Sequence, residues 1–206
     1  MYQRFAIYCC PEGALGDFGK AWLTSGAELV ARPARYGFHA TLKAPFVLAD
    51  GQTEGGLAGA VKALAAGLGP VEVPLVLSRI GSFFALVPEG DASKLRMLAG
   101  ACVLELDSFR APLTEAERAR KLRPNMPVQQ VENLERWGYP YVLDDFRFHL
   151  TLTGPVPKAD SAAVEAELRA ALPDLSAPHR LESICLCGED AAGRFHVIQR
   201  FALGGA

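Results

Sequence analysis

The chain has 206 residues, half of them hydrophobic and 21% charged, and its 21 basic and 23 acidic residues leave a net charge of −2. That balance excludes an intrinsically disordered protein, which buries too little apolar surface to offset chain entropy. It also excludes the overall positive field that holds a long nucleic acid by counterion release. At roughly 150 residues per domain, the length fits one large body or two small ones packed together. The longest run without Asp, Glu, Lys or Arg is the ten residues Phe148 to Pro157, against the roughly 20 apolar residues of a spanning helix. No membrane partner is expected. Five cysteines, an odd count with no C-x-x-C pair, read as reduced and mostly buried thiols, so the expected location is the cytoplasm.

In chain order, Tyr2 to Cys10 alternates as a strand and stops at Pro11-Glu12-Gly13. Leu15 to Ser25 places Leu15, Phe18, Trp22 and Leu23 at helical spacing. Ala34 to Leu48 is a β segment with Pro45 near its end. Thr53 to Leu68 is a helix closed by Gly67, Gly69 and Pro70. Val71 to Leu77 and Ser82 to Val87 read as a β pair, and Ala92 to Leu106 as the next helix. Thr114 and Glu117 have capping-box spacing, so a helix starts there and runs through Arg118, Arg120 and Lys121. Val128 to Trp137 is helical again, Phe146 to Thr153 a strong strand, Ala159 to Leu172 a helix, and Leu181 to Cys187 and Phe195 to Phe201 two closing strands. Mixed strands and helices without a strict βα rhythm give the α+β class.

Two segments repeat. Gly37-Phe38-His39-Ala40-Thr41-Leu42-Lys43-Ala44-Pro45 matches Arg147-Phe148-His149-Leu150-Thr151-Leu152-Thr153-Gly154-Pro155 at Phe, His, Thr, Leu and Pro. Such self-similarity half a chain apart suggests two related lobes, each offering one strand. Side chains alternate faces along a strand. Phe38, Ala40 and Leu42 therefore share a core face, as do Phe148, Leu150 and Leu152. The opposite faces carry His39, Thr41 and Lys43, and Arg147, His149, Thr151 and Thr153. A single histidine on a strand is ordinary packing; two in matched apolar frames are not. His179 and His196 lack such a frame and are read as structural.

The paired His-x-Thr strands resemble the LigT-like two-histidine phosphoesterase superfamily, which includes bacterial RNA-ligase-like proteins and cyclic nucleotide phosphodiesterases. The stretches Tyr36 to Lys43, Trp137 to Tyr141 and Phe146 to Thr153 further resemble a branch encoded beside phosphonate-utilisation genes. The resemblance spans nearly the whole chain. It implies one two-lobed domain over residues 1–206, with two antiparallel sheets facing each other across a groove and helices outside in a pseudo-two-fold arrangement. It also implies that His39, Thr41, His149 and Thr151 are the catalytic residues.

The chemistry of these residue types agrees. An imidazole titrates near pH 6.5, so one can take a proton from water while the other protonates a departing oxygen. Threonine hydroxyls two residues along can hold the non-bridging oxygens. Lys43, Arg147, Thr153, Tyr36 and Arg110 are the candidate substrate-binding residues. The near symmetry of the pair assigns neither histidine to base or acid.

The expected activity is hydrolysis of a small cyclic phosphodiester, a 2′,3′-cyclic nucleotide, RNA terminus or sugar cyclic phosphate, by a monomer that needs no metal or other cofactor. The competing readings are a non-catalytic module binding nucleotides or RNA ends in the same groove, a metal site built on the histidines with Asp144 or Asp145, and a Cys9 or Cys10 nucleophile. No ligand-spaced His or Cys cluster supports a metal.

Overall fold

A computed structural model describes residues 2–25 and 27–204; Met1, Gly26, Gly205 and Ala206 lie outside it. The strands are β1 (Phe5–Cys9), β2 (Ala40–Phe46), β3 (Val71–Val73), β4 (Leu75–Ile80), β5 (Phe83–Pro88), β6 (Leu150–Thr151), β7 (His179–Leu181), β8 (Ser183–Glu189) and β9 (Phe195–Ala202). The helices are α1 (Gly13–Leu23), α2 (Ala31–Ala34), α3 (Glu54–Ala66), α4 (Ser93–Glu105), α5 (Glu115–Lys121), α6 (Val128–Trp137) and α7 (Ser161–Ala171). They form an α+β fold with antiparallel sheets ordered β2-β1-β8-β9, β4-β5-β6 and β3-β7. The first His-x-Thr motif enters the four-stranded sheet and the second enters the three-stranded one.

β1 is buried on both faces. Phe5, Ile7 and Cys9 join the main core, which takes in Leu86 and Leu150 from the three-stranded sheet. Helices α3 and α4 close that side, α3 on β8 and β9 and α4 on β2. Ala6 and Tyr8 point the other way, into a second cluster with Cys185, Cys187 and Phe195. A strand hydrophobic on both faces holds the centre of its sheet, and that is where β1 lies.

Three expectations about strands needed correction. Val71 to Leu77 is not one strand: Pro74, with no N–H to give a ladder, separates β3, which pairs with β7, from β4, which pairs with β5. Regular pairing of the second motif covers only Leu150–Thr151 instead of Phe146 to Thr153. Immediately after it, the amides of Leu152 and Thr153 both donate to the Phe84 carbonyl, at 2.9 and 3.3 Å. Two residues on one partner is a bulge. In β2, Tyr8 pairs with Thr41 but Ile7 pairs with Lys43, so Leu42 is an extra residue and the strand bulges there too. The capping box at Thr114 forms as expected, with Thr114 N–H donating to Glu117 at 3.0 Å and Glu117 N–H to Thr114 Oγ1 at 3.2 Å.

One helix ties the two motifs together. A Cβ on Gly19 of α1 would collide with the Phe38 ring, so Phe38 rests on bare helix backbone directly before His39. One turn on, Trp22 Nε1–H donates to the Leu152 carbonyl at 2.8 Å, directly after Thr151. The Gly154 amide adds a bond to the Leu29 carbonyl at 2.6 Å.

Gly19→Ala forces Phe38 or α1 to shift. We expect a net loss of about 1–3 kcal/mol from overpacking, despite a helix-propensity gain of about 1 kcal/mol. Urea denaturation checks it; an unchanged or raised midpoint contradicts the close packing.

Candidate functional site

Gly37 adopts φ +72°, a left-handed conformation that suits glycine, and turns the chain into the first motif. Its carbonyl oxygen lies 2.9 Å from His39 Nδ1. A carbonyl only accepts, so Nδ1 carries the proton and Nε2 presents its lone pair. Thr41 Oγ1 lies 3.2 Å from Nε2 and donates to it. Tyr8, across β1, stacks on the imidazole with centroids 3.8 Å apart and planes 24° from parallel. Burial pushes the His39 imidazole down to about 4, and the charge of His149 pushes the same way.

The second motif repeats the device. His149 Nδ1–H donates to the Arg147 carbonyl at 2.8 Å, again two residues back, and its Nε2 has no hydrogen-bond partner among the described residues. Thr151 pairs with Ala85 across β5, and the Phe83 ring lies 6.0 Å from the His149 ring. Because the His149 charge acts on His39, the two imidazoles lie within electrostatic reach of each other, although their strands belong to different sheets. Two imidazoles fixed through Nδ1, one with a threonine hydroxyl at its Nε2, can pass protons to and from one small group.

The expected binding residues divide. Tyr36 stands 6.2 Å from His39 and stacks on Phe195 at 5.4 Å. Arg147 keeps an exposed side chain while its carbonyl holds His149. Lys43 does not share the face of His39 and Thr41. The bulge at Leu42 turns it to the helix-covered side, where it is 3% exposed and donates to Val103 O at 3.1 Å and Asp107 at 3.3 Å. Thr153 is 1% exposed, because the second bulge turns it inward to accept from Phe84 N–H at 2.9 Å.

Arg110 is committed as well. Its guanidinium grips Asp107 at 2.8 and 3.2 Å and caps the α6 end through the Arg136 carbonyl at 2.9 Å. Burial lowers the Lys43 pKa, with Asp107 opposing; Asp107 stays below the usual carboxylate range despite desolvation, held by Arg110 and Lys43. Arg118 pairs with Glu135 of α6 at 2.7 Å and so ties α5 to α6.

The competing chemistries find less support in the side chains. Burial raises the Cys9 thiol to about 12, and Cys10 is raised as well, its contact with Cys185 lowering it but outweighed by the contact with Cys187 and burial, so neither is a ready thiolate. Asp145 accepts from Gln130 at 2.8 Å and Asn133 at 3.2 Å, bonded to α6. His196 pairs with Asp190 at 2.7 Å across a surface hairpin. Two contributors went unread in the sequence. Tyr8 shares the alternating face of β1 with Ala6, a signal that was available; the Trp22 bond to Leu152 joins residues 130 apart and leaves no local pattern.

Comparison with known proteins completes the description. The family described as "Protein of unknown function (DUF1045)" matches residues 41–196. The chain is 33% identical over 177 residues to Ribose 1,5-bisphosphate phosphokinase PhnN of Laribacter hongkongensis (strain HLHK9), covering 77% of this chain and 42% of that protein. It is 36% identical over 173 residues to the protein of the same name from Janthinobacterium sp. (strain Marseille), covering 81% and 38%. The chain thus spans about two fifths of the length of these curated relatives, whose PhnN name fits the phosphonate-linked branch. Among solved structures, TT0787 of Thermus thermophilus superposes with a TM-score of 0.51 at 16% identity over 98% of each chain. Escherichia coli LigT, solved with NADP+, gives 0.51 at 14% identity over 99% of each. A further structure described as a phosphoesterase gives 0.50 at 13%, over 98% of this chain and 99% of that one. At these identities the likeness is one of fold, and it agrees with the fold implied by the paired motifs. The chain belongs to the DUF1045 family and has the LigT-like fold of the two-histidine phosphoesterases.

Proposed function

We infer that this protein is a phosphoesterase that opens a small cyclic phosphodiester by two-histidine acid–base catalysis, without a metal ion. The observation that carries the reading is the matched local geometry of the histidines. Each has Nδ1–H tied to the carbonyl two residues back, leaving Nε2 to work, and the two rings interact electrostatically. In the proposed reaction, Nε2 of His39 takes a proton from water as its oxygen attacks phosphorus. The bond from phosphorus to one ring oxygen breaks, and protonated His149 delivers a proton to that oxygen. The product is a phosphomonoester beside a free hydroxyl. Thr41, turning its hydroxyl proton from His39 Nε2 to the phosphate, and Thr151 donate to the non-bridging oxygens as charge builds there. His39 suits the base because burial and the charge of His149 keep it neutral.

A cyclic phosphate of ribose is the favoured substrate class. Two relatives carry the name ribose 1,5-bisphosphate phosphokinase. Opening a phosphate bridged across O1 and O2 of ribose 5-phosphate, at the O2 side, yields such a bisphosphate. This chemistry supplies what the relatives' name says they phosphorylate. Nucleoside 2′,3′-cyclic phosphates are the comparison substrates.

Three outcomes are expected. Phosphorus NMR should show ring opening in the presence of EDTA, with His149→Ala slowed about 10²- to 10⁴-fold, the usual worth of positioned acid–base catalysis. Binding without turnover across both substrate classes would instead make the protein a binding module. The kcat/KM profile should be bell-shaped, with an acid limb below the 6.5 of a free imidazole because that limb titrates His39; a monotonic profile from pH 4 to 9 contradicts the mechanism.

Stability should follow pH through the same residue. Folded His39 binds its proton only near pH 4, whereas the unfolded chain binds it near 6.5. Unfolding is therefore favoured as pH falls through that window, by at most on the order of 3 kcal/mol. Urea midpoints between pH 7 and 4 should fall less steeply for His39→Asn than for the wild type; equal slopes would refute the assignment.

A further inference from the structure

Arg4 directly precedes β1 and shares the face of Ala6 and Tyr8, the strand side that His39 rests on. The β1–β8 ladder continues to it, since the Glu189 amide donates to the Arg4 carbonyl at 2.9 Å. Glu189 is almost wholly buried, with a side chain 7% exposed, while the Arg4 side chain is 33% exposed. Its carboxylate accepts from Arg4 Nε at 2.6 Å and Nη2 at 2.5 Å. That two-point grip fixes the guanidinium plane. It leaves Nη1, with two N–H donors, without a hydrogen-bond partner among the described residues.

The guanidinium lies over the Phe195 ring at 5.8 Å, Phe195 is 5.7 Å from Tyr8, and Tyr8 is 3.8 Å from His39. Three short steps thus join the Arg4 guanidinium to the histidine. Tyr36, also stacked on Phe195, flanks the same path.

A second guanidinium lies near the same carboxylate without pairing to it. A Cβ on Gly193 would lie 2.6 Å from Arg35 Nη2 and 3.8 Å from Glu189 Oε1, so Arg35 and Glu189 converge on that bare glycine, itself at φ +74°. The Arg35 carbonyl accepts from the Phe195 amide at 2.8 Å, which fixes the backbone from which the side chain extends. Two arginines around one carboxylate leave a net positive charge. An oriented guanidinium with free donors, backed by a buried carboxylate, is the arrangement that recognises phosphate.

We propose that Arg4 and Arg35 form a second anion subsite that holds a phosphomonoester elsewhere on the substrate, while the histidines act on its cyclic phosphodiester. This rests on the phosphodiesterase reading and deepens it: the substrate carries two phosphates, one cyclic and one terminal. Arg4 binds and orients and takes no part in proton transfer.

The test compares ribose 1,2-cyclic phosphate with and without a 5-phosphate on the wild type, on Arg35→Gln and on the double variant Arg4→Gln/Glu189→Gln. The double variant avoids stranding a buried carboxylate, and Arg35→Gln changes only an exposed side chain. KM for the 5-phosphorylated substrate should rise about 10- to 100-fold in the double variant, the worth of one or two charge-assisted hydrogen bonds. KM for the unphosphorylated substrate should stay within about twofold. Arg35→Gln should move in the same direction by less. Equal losses on both substrates, or none on either, would overturn the subsite.

Binding keeps the proposal separate from the catalytic reading. Calorimetry of ribose 5-phosphate against ribose needs no turnover. A preference of wild type for ribose 5-phosphate that the double variant loses supports the subsite even if neither cyclic phosphate is hydrolysed; a preference that survives in the variant refutes it.

Discussion

Gly19 and Trp22 stand one turn apart on α1, and through them a single helix reaches both histidine motifs. Phe38 fits against the helix only because position 19 has no side chain. The indole of Trp22 supplies the hydrogen bond that the Leu152 carbonyl accepts, on a strand with just two regularly paired residues. A stretch that short has little ladder of its own to hold its register. The separation of two residues 110 positions apart in the chain therefore depends on a glycine contact and one indole bond, together with the Gly154–Leu29 bond. Proton transfer is sensitive to such distances, so the helix matters to the chemistry although it contributes no reactive group.

The two bulges explain what was and was not legible in the sequence. Alternation along a strand correctly buried Ala40 and Leu42, and Phe148, Leu150 and Leu152. It also kept His39 and Thr41, and His149 and Thr151, off the fully buried side. It failed at the next polar residue in each repeat, Lys43 and Thr153, because an extra residue follows the threonine in both strands and turns the chain over. A bulge has no strong composition signal when the residues are Leu-Lys or Leu-Thr. The α+β class and the helices after Thr53, Ala92 and Thr114 were readable, since each rests on local periodicity or capping; β1 was read as an alternating strand, and its burial on both faces was not. The β3–β7 pairing, the α1 clamp and the Arg4–Glu189 pair join distant segments and were not.

Charge in this nearly neutral protein is organised in internal groups. Lys43, Asp107 and Arg110 form one network that fastens β2 to α4 and to the end of α6. Breaking such a buried group strands a charge, which makes it specific for one arrangement more than strongly stabilising. Around His39 the opposite holds. Its neighbours are the aromatic rings of Tyr8 and Tyr36, part of an apolar cluster with Phe195, Cys185 and Cys187, with positive charge kept at the Arg4 end. The small net charge of the whole chain is thus compatible with a strong local field for an anion.

The Trp22 bond also turns the protein into its own optical gauge. The chain has two tryptophans, and Trp22 ties α1 to the strand behind His149 through its indole N–H. Indole emission shifts with hydrogen bonding and polarity, so the colour of Trp22 reports whether the strand behind His149 is seated. Any opening of the space between the imidazoles that draws Leu152 away from α1 is written directly into the fluorescence of a residue that never touches the substrate.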